Sequence, residues 1–339
     1  MSPLDVVFLG PVGNTHVASS LYRAAHRLGI ASRLKDTAFA FAGPYVLRKL
    51  SWHLGDRKPY RLGAFANGVL RDLLARPCRT LITIGQAPLT APVLEGLRKR
   101  GLRCVNFSTD DPFNPVHRSR WQLRTLPVYD IVFTPRRANI EDLRTLGCKD
   151  VRYLPFGYDE DLFDPSASAP QGTQVPNLDV LFVGGADRDR AAFFDAYIQS
   201  GLKPTFVGGY WSHYRHTRSA SLGLLQADEI RRLTAAAAVN LCLVRRANRD
   251  GHVMRSFEIP ASGGFMITED TEEHRELFGD EGERTLFFRT PEEAAEKSRW
   301  ALAHPAERQR MARALREHIK LGRHSYRDRL QTMLEAVLI

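Results

Sequence analysis

Leu178–Gly185 reads LDVLFVGG, a short apolar run that breaks on a glycine pair. An apolar run of this length closed by glycine has the pattern of a strand buried on both faces, and a helix-spaced stretch follows it from 190 to 200. The residues just before it, 166–177, are rich in Ser, Ala, Pro, Gly and Gln, the composition of a linker. The same pattern already stands at the start of the chain. Leu4–Gly10 (LDVVFLG) ends in a Gly-Pro-Val-Gly-Asn turn, and Thr15–Leu28 then carries apolar residues at helical spacing. Thr80–Gly85 with the helix Leu89–Arg100, the short strand Arg103–Phe107, and Asp130–Thr134 with the helix Asn139–Leu146 extend this first half. Pro204–Val207 ahead of Gly208-Gly209, the helix Ala227–Ala238, the strand Val239–Val244, the short helix Phe257–Ser262 and the strand Phe265–Thr268 extend the second. From Pro291 the chain reads as helix, broken near Pro305 and Gly322. Short apolar runs alternating with helices predict parallel sheets covered on both faces. The expectation is α/β: two Rossmann-like, doubly wound domains facing a cleft. They are placed at 1–165 and 178–323, joined by the linker 166–177, with a helix at about 324–339 packing back on the first domain.

A chain of 339 residues suits two such domains of roughly 150 residues each. The longest apolar candidate, Ala235–Val244, is interrupted by Asn240 and falls short of a membrane span, and the first residues lack a basic stretch leading into an apolar one. A cytoplasmic protein is expected. The four cysteines, at 78, 104, 148 and 242, share no metal-ligand spacing and read as buried thiols. A net charge of +10 points to an anionic partner. Forty of the 48 basic residues are Arg, which suits phosphate forks and also fits codon bias. They are scattered without a dense block or stacking aromatics, which argues against nucleic acid and leaves a peripheral contact at the inner face of a membrane open.

Asn248–Glu269, NRDGHVMRSFEIPASGGFMITE, carries the densest chemistry. Proline is tolerated early in a helix, so Pro260 predicts a helix start just before it, with Ser256 as cap. That start would aim free N–H groups at the loop 250–255, a natural seat for a diphosphate, with Arg255 adding charge. Glu258 is then placed to accept from a ribose diol and Asp250 to grip sugar hydroxyls. Gly263 and Gly264 end the helix and permit close backbone approach.

Asp250, seven residues, then Glu258 resembles the E-x7-E signature of retaining GT-B glycosyltransferases, with Asp in the first place. RSFEIPASGGF (255–265) and EEHRELF (272–278) resemble the CgeB-like, or spore-maturation-protein, group of glycosyltransferases. FSTDDPFN (107–114), LPFGYDEDLF (154–163), LDVLFVGG and QADEIRRLTAAAAVNLCL (226–243) are also similar to its pattern, so the resemblance runs over nearly the whole chain. It implies a GT-B fold and a glycosyltransferase of hexosyltransferase type. It also implies a nucleotide-sugar donor, best read as a UDP-sugar, with no cofactor or essential metal, and transfer with retention. Carried over, Glu258 would hold the ribose, Asp250 the transferred sugar, and the backbone from Gly251 to Arg255, with Ser256, the diphosphate. Arg188 or Arg190, after Gly184-Gly185, would be the phosphate-binding base, and Tyr210 and Trp211 would lie near the nucleobase. The acceptor, whether glycan, lipid-linked saccharide or small molecule, is expected on the first half.

Other candidates have competing readings. Asp110 and Asp111 follow a strand end and either act on an acceptor or cap the turn before Pro112. Gly13 and Asn14, with His16 nearby, either border the cleft as a phosphate loop or form a plain strand-to-helix turn. His252 is either a diphosphate or sugar contact with a catalytic role, or a structural donor. Asp159 and Asp161 form a D-x-D that reads better as a solvated turn than as a metal site. The rival functions are an epimerase or hydrolase acting on nucleotide sugars, and a GT-B-shaped binding protein without catalysis.

Overall fold

A computed structural model of the chain describes residues 5–13, 15–164 and 178–338. Asn14 and the linker 166–177 lie outside the described residues. The chain divides into two compact units, one of Met1–Pro155, Ala247–Arg249 and Tyr326–Ile339, the other of Phe156–Arg246 and Asp250–Ser325. The division therefore falls at Pro155 rather than at 165, and the loop residues 247–249 are counted with the first unit.

The first unit runs β1 (Asp5–Gly10), α1 (Val17–Arg27), β2 (Ala31–Asp36), α2 (Ala38–Phe41), α3 (Tyr45–Leu54), α4 (Leu62–Ala75), β3 (Thr80–Ile84), α5 (Ala91–Arg98), β4 (Arg103–Phe107), α6 (Arg120–Thr125), β5 (Ile131–Thr134), α7 (Ala138–Thr145) and β6 (Val151–Tyr153). Its sheet is parallel throughout, in the order β2-β1-β3-β4-β5-β6. β1 is wholly apolar behind its first residue and buried there, as a strand covered on both faces requires. The sequence reading missed β2 because ASRLKD has no apolar run. It is the edge strand, and its cations are spent on ion pairs, Lys35 with Asp72 at 2.6 Å and Arg33 with Asp5 at 3.5 Å.

The second unit adds α8 (Glu160–Phe163), β7 (Val180–Val183), α9 (Arg188–Gln199), β8 (Pro204–Val207), α10 (Ala227–Ala236), β9 (Val239–Cys242), α11 (Arg255–Ala261), β10 (Met266–Glu269), α12 (Glu272–Phe278), β11 (Leu286–Phe288), α13 (Pro291–Ala303) and α14 (Pro305–Leu321); the last helix, α15 (Tyr326–Leu338), belongs to the first unit. Its parallel sheet has the order β8-β7-β9-β10-β11. Both sheets thus reverse direction of growth next to their first strand, between β1 and β3 and between β7 and β9. In an open parallel sheet a ligand crevice forms at such a reversal, beyond the carboxyl ends of the strands.

The four cysteines are free and buried, and burial pushes the thiols up, Cys78 and Cys148 to about 11 and Cys104 to about 12. Asp159 caps α8, its Oδ1 accepting from the Asp161 N–H at 3.0 Å. It is buried, so the D-x-D is a packed turn rather than a solvated one.

Candidate active site

The reversal between β7 and β9 gathers candidate side chains of the second unit. Past β7 the chain turns at Gly184-Gly185, and Asp187 caps α9 by accepting the Arg190 N–H at 2.9 Å. The Arg190 guanidinium crosses the crevice, with Nη1 donating to the Gly185 carbonyl and Nη2 to the Leu243 carbonyl, both at 3.1 Å. It thereby ties the loop after β7 to the loop after β9. Burial lowers its pKa, the nearby charge of Arg245 adds to this, and Asp187 and Asp250 work against it. Arg245 pairs loosely with Asp187, at 3.6 Å. Arg255, on the first turn of α11, reaches the carboxyl end of β7 by donating from Nε to the Val183 carbonyl at 3.4 Å, and forms an ion pair with Glu258. Three guanidinium groups and two carboxylates, Asp250 and Glu258, therefore share the carboxyl end of one sheet.

α12 holds the loop that carries the carboxylates. Thr271 Oγ1 donates to the Gly251 carbonyl at 2.5 Å. His252 is buried and both of its ring nitrogens are engaged. Nε2 accepts from the Phe156 N–H at 3.1 Å, which places the proton on Nδ1, and Nδ1 donates to Glu273 Oε2 at 2.6 Å. His274 Nδ1 sits 2.8 Å from the Glu269 carbonyl and so carries its proton, leaving Nε2 to accept from Ser256 Oγ at 2.8 Å. Burial lowers the His274 pKa to about 4. A Cβ at Gly251 would meet the Glu273 carboxyl carbon at 2.4 Å, so any larger residue would displace the carboxylate that holds His252. The EEHRELF stretch, noticed in the sequence only as a resemblance, is thus a clasp for the loop 250–258.

Comparison with known families finds the description "Glycosyl transferase-like" matching residues 188–335. Comparison with curated proteins returns no match by sequence. Among solved structures, sucrose-phosphate synthase from Thermosynechococcus elongatus is similar at a TM-score of 0.69 and 14% identity, over 99% of this chain and 98% of that one. The HepE protein of Anabaena, in complex with UDP, is similar at 0.62 and 15%, over 98% and 99%. A candidate UDP-N-acetylglucosamine 2-epimerase from Listeria monocytogenes is similar at 0.58 and 12%, over 98% and 95%. The chain has the GT-B fold. Its second Rossmann-like unit holds most of the family match, from the first residue of α9 onward.

Placed on this GT-B fold, several expected residues take other roles. Trp211, expected near a nucleobase, has no face open to a ligand: it is fully buried, stacked on Phe206, and its indole donates to the Gly184 carbonyl at 2.7 Å. Its neighbour Tyr210 is exposed, in the left-handed region at φ +71°. Ser256 does not cap α11, which begins at Arg255 with Met254 before it. The serine lies inside the helix, with Oγ accepting the Val253 N–H and donating to His274, so no hydroxyl is offered to a diphosphate. Pro260 falls at the sixth helical position, and there the Ser256 carbonyl lacks its usual donor four residues on. The helix ends one residue later, at Ala261, and beyond it Gly263, at φ +85°, donates to Pro260 and Gly264 donates to Ile259. His252, expected as a catalytic or diphosphate contact, is buried and held at both nitrogens, so in this structure it braces the loop and offers no free nitrogen to a ligand.

Asp111 is likewise structural. It is 1% exposed and accepts from the Phe113 N–H, Asn139 and both arms of Arg249, the latter at 2.7 and 3.0 Å. Asn114 donates to Asn248 at 2.8 Å, so FSTDDPFN anchors residues 248 and 249 within the first unit. Asp110 is exposed, with its Oδ2 near Gly85 beyond the end of β3. Gly13 donates to Ser19 Oγ at 3.2 Å and packs against His16, as in a strand-to-helix turn. Arg188 is exposed at the start of α9. Arg245, Thr271, Glu273 and His274 escaped the sequence reading. Only the EEHRELF resemblance touched Glu273 and His274, and nothing in the sequence singled out Arg245 or Thr271.

Proposed function

We propose that the protein is a glycosyltransferase of hexosyltransferase type, moving a sugar from a UDP-sugar to an acceptor hydroxyl with retention and without a metal ion. The observation that carries this reading is the convergence of Arg190, Arg245 and Arg255 on the β7–β9 crevice, with Asp250 and Glu258 on the clasped loop beside it. A diphosphate leaving group gains negative charge as the glycosidic bond breaks, and fixed guanidinium groups stabilise that charge. Glu258 accepts from the ribose once Arg255 turns from it to phosphate, and Asp250 holds the sugar. The acceptor oxygen attacks the anomeric carbon on the face the diphosphate leaves, and its proton passes to a departing phosphate oxygen. Asp110, exposed in the first unit, is assigned to orient the acceptor. The family match over residues 188–335 and the UDP in the HepE structure support a nucleotide site in the second unit.

The similarity to a candidate 2-epimerase favours a second reading, isomerisation of a nucleotide sugar without an acceptor. Incubation with a panel of nucleotide sugars, with and without an acceptor mixture and with excess chelator, separates the two. Release of UDP that depends on acceptor and survives chelation is expected. Isomerisation without acceptor overturns transfer, and loss in chelator restored by manganese or magnesium overturns the metal-free mechanism.

A further inference from the structure

The helix α3, YVLRKLSWHL, has no buried residue at all. A surface helix ordinarily turns its apolar stripe to the core. Here Val46, Leu47, Leu50 and Leu54 fall on one side at spacings of three and four, and they are 64%, 41%, 47% and 81% exposed. The half-buried residues are Ser51 and Trp52, and Ser51 Oγ donates to the Lys58 carbonyl at 2.8 Å. The helix is therefore held along the edge of Ser51 and Trp52 and shows its aliphatic stripe to solvent. Phe39, Phe41, Tyr45 and Tyr60 add to the patch. Eight of the 17 exposed large apolar side chains among the described residues lie between 39 and 60.

The charges around this patch are one-sided. Between Thr37 and Arg71 stand Arg48, Lys49, Arg57, Lys58, Arg61 and Arg71, against the single acid Asp56, whose carboxylate accepts the Arg120 N–H. Lys49 and Arg61 lie over the rings of Tyr45 and Phe39, at 4.7 and 4.8 Å. Apolar and aromatic side chains with basic residues alongside match the interface of an anionic phospholipid bilayer, where acyl chains take the stripe and phosphates take the cations. A second copy of the chain would set cation against cation across the same face. Ten residues also cannot cross a bilayer, and no helix among the described residues is long and apolar enough to do so.

We propose that α3 and the flanking α2 and Tyr60 form an interfacial anchor that lies on anionic phospholipid, seating the first unit at a membrane surface. The proposal stands apart from the donor site, since none of its residues is assigned there. Co-sedimentation with vesicles of phosphatidylcholine alone, or with phosphatidylglycerol added, tests it. The parent protein should pellet with the anionic vesicles and be released as salt rises. The double substitution Leu50→Glu with Leu54→Glu should lower partition about tenfold or more. Leu224→Glu, an equally exposed site in the second unit, should leave it unchanged. Circular dichroism of each variant checks the fold, and because both leucines are exposed their loss should not unfold the unit. A parent protein that stays in the supernatant overturns the proposal, as does a double variant that binds like the parent. If sedimentation equilibrium instead shows a parent dimer that the double variant disperses, with no binding to vesicles, the face belongs to a second copy and the proposal falls.

Discussion

Substituting Glu258 tests the donor assignment most directly. Its side chain is 2% exposed, and it pairs with Arg255, on the preceding turn of the same helix and 21% exposed. Glu258→Ala therefore does two things. It removes the proposed ribose acceptor, worth about 1.5–3 kcal/mol for a hydrogen bond to a charged group, which is about ten- to 150-fold in UDP affinity. It also takes the carboxylate of this ion pair away from Arg255, which keeps its contact with the Val183 carbonyl. A fully buried ion pair that loses one member costs about 3–5 kcal/mol, but Arg255 can turn to water, so a stability loss of about 1–3 kcal/mol is expected. Glu258→Gln separates these effects, because the amide oxygen still accepts from Arg255 while the charge facing the ribose is gone. Calorimetry with UDP, in the cold where circular dichroism shows each variant folded, should find both variants weakened. Asp250→Ala should bind free UDP like the parent and lose turnover, since a contact to the transferred sugar acts mainly in the transition state. If folded Glu258→Gln and Glu258→Ala both bind UDP as the parent does, the site is misplaced and so is the mechanism built on it.

Three further outcomes are expected. Arg245→Ala, at a 42% exposed side chain, should leave the stability within about 0.5 kcal/mol of the parent and weaken UDP about tenfold, whereas Arg190→Met should lower both stability and affinity because two carbonyls lose their donor; thermal melts beside calorimetry decide this. Asp110→Asn should reduce turnover and spare stability, while Asp111→Asn, which puts a neutral amide against Arg249, a side chain 42% exposed and so partly able to turn to water, should destabilise the fold by about 1–2 kcal/mol in urea titration. His274, held near 4 in the fold against 6.5 unfolded, is neutral when folded, so protons favour the unfolded chain; its contribution is present at neutral pH and about 2 kcal/mol of it is lost between pH 7 and pH 5. His274→Gln should flatten that part of the stability profile, and an unchanged slope would refute the assignment.

Two Rossmann-like halves were legible from LDVVFLG and LDVLFVGG, because a strand buried on both faces must be apolar at every position and glycine must follow where the chain turns. That a loop at 250 leads into a short helix closed by Gly263-Gly264 was legible for a similar reason, since proline and a glycine pair constrain a short segment by themselves. The partners of these residues were not legible. Asp111 is saturated by an arginine 138 positions away, Trp211 is claimed by a core of aromatic rings, and His252 is fixed by an acid 21 residues on. Such roles depend on which groups the sheets bring within hydrogen-bonding distance, and that is a property of tertiary packing. The exposed stripe of α3 shows the same limit from the other side. Its pattern is that of any amphipathic helix, and only the packing shows that its apolar face is left to solvent.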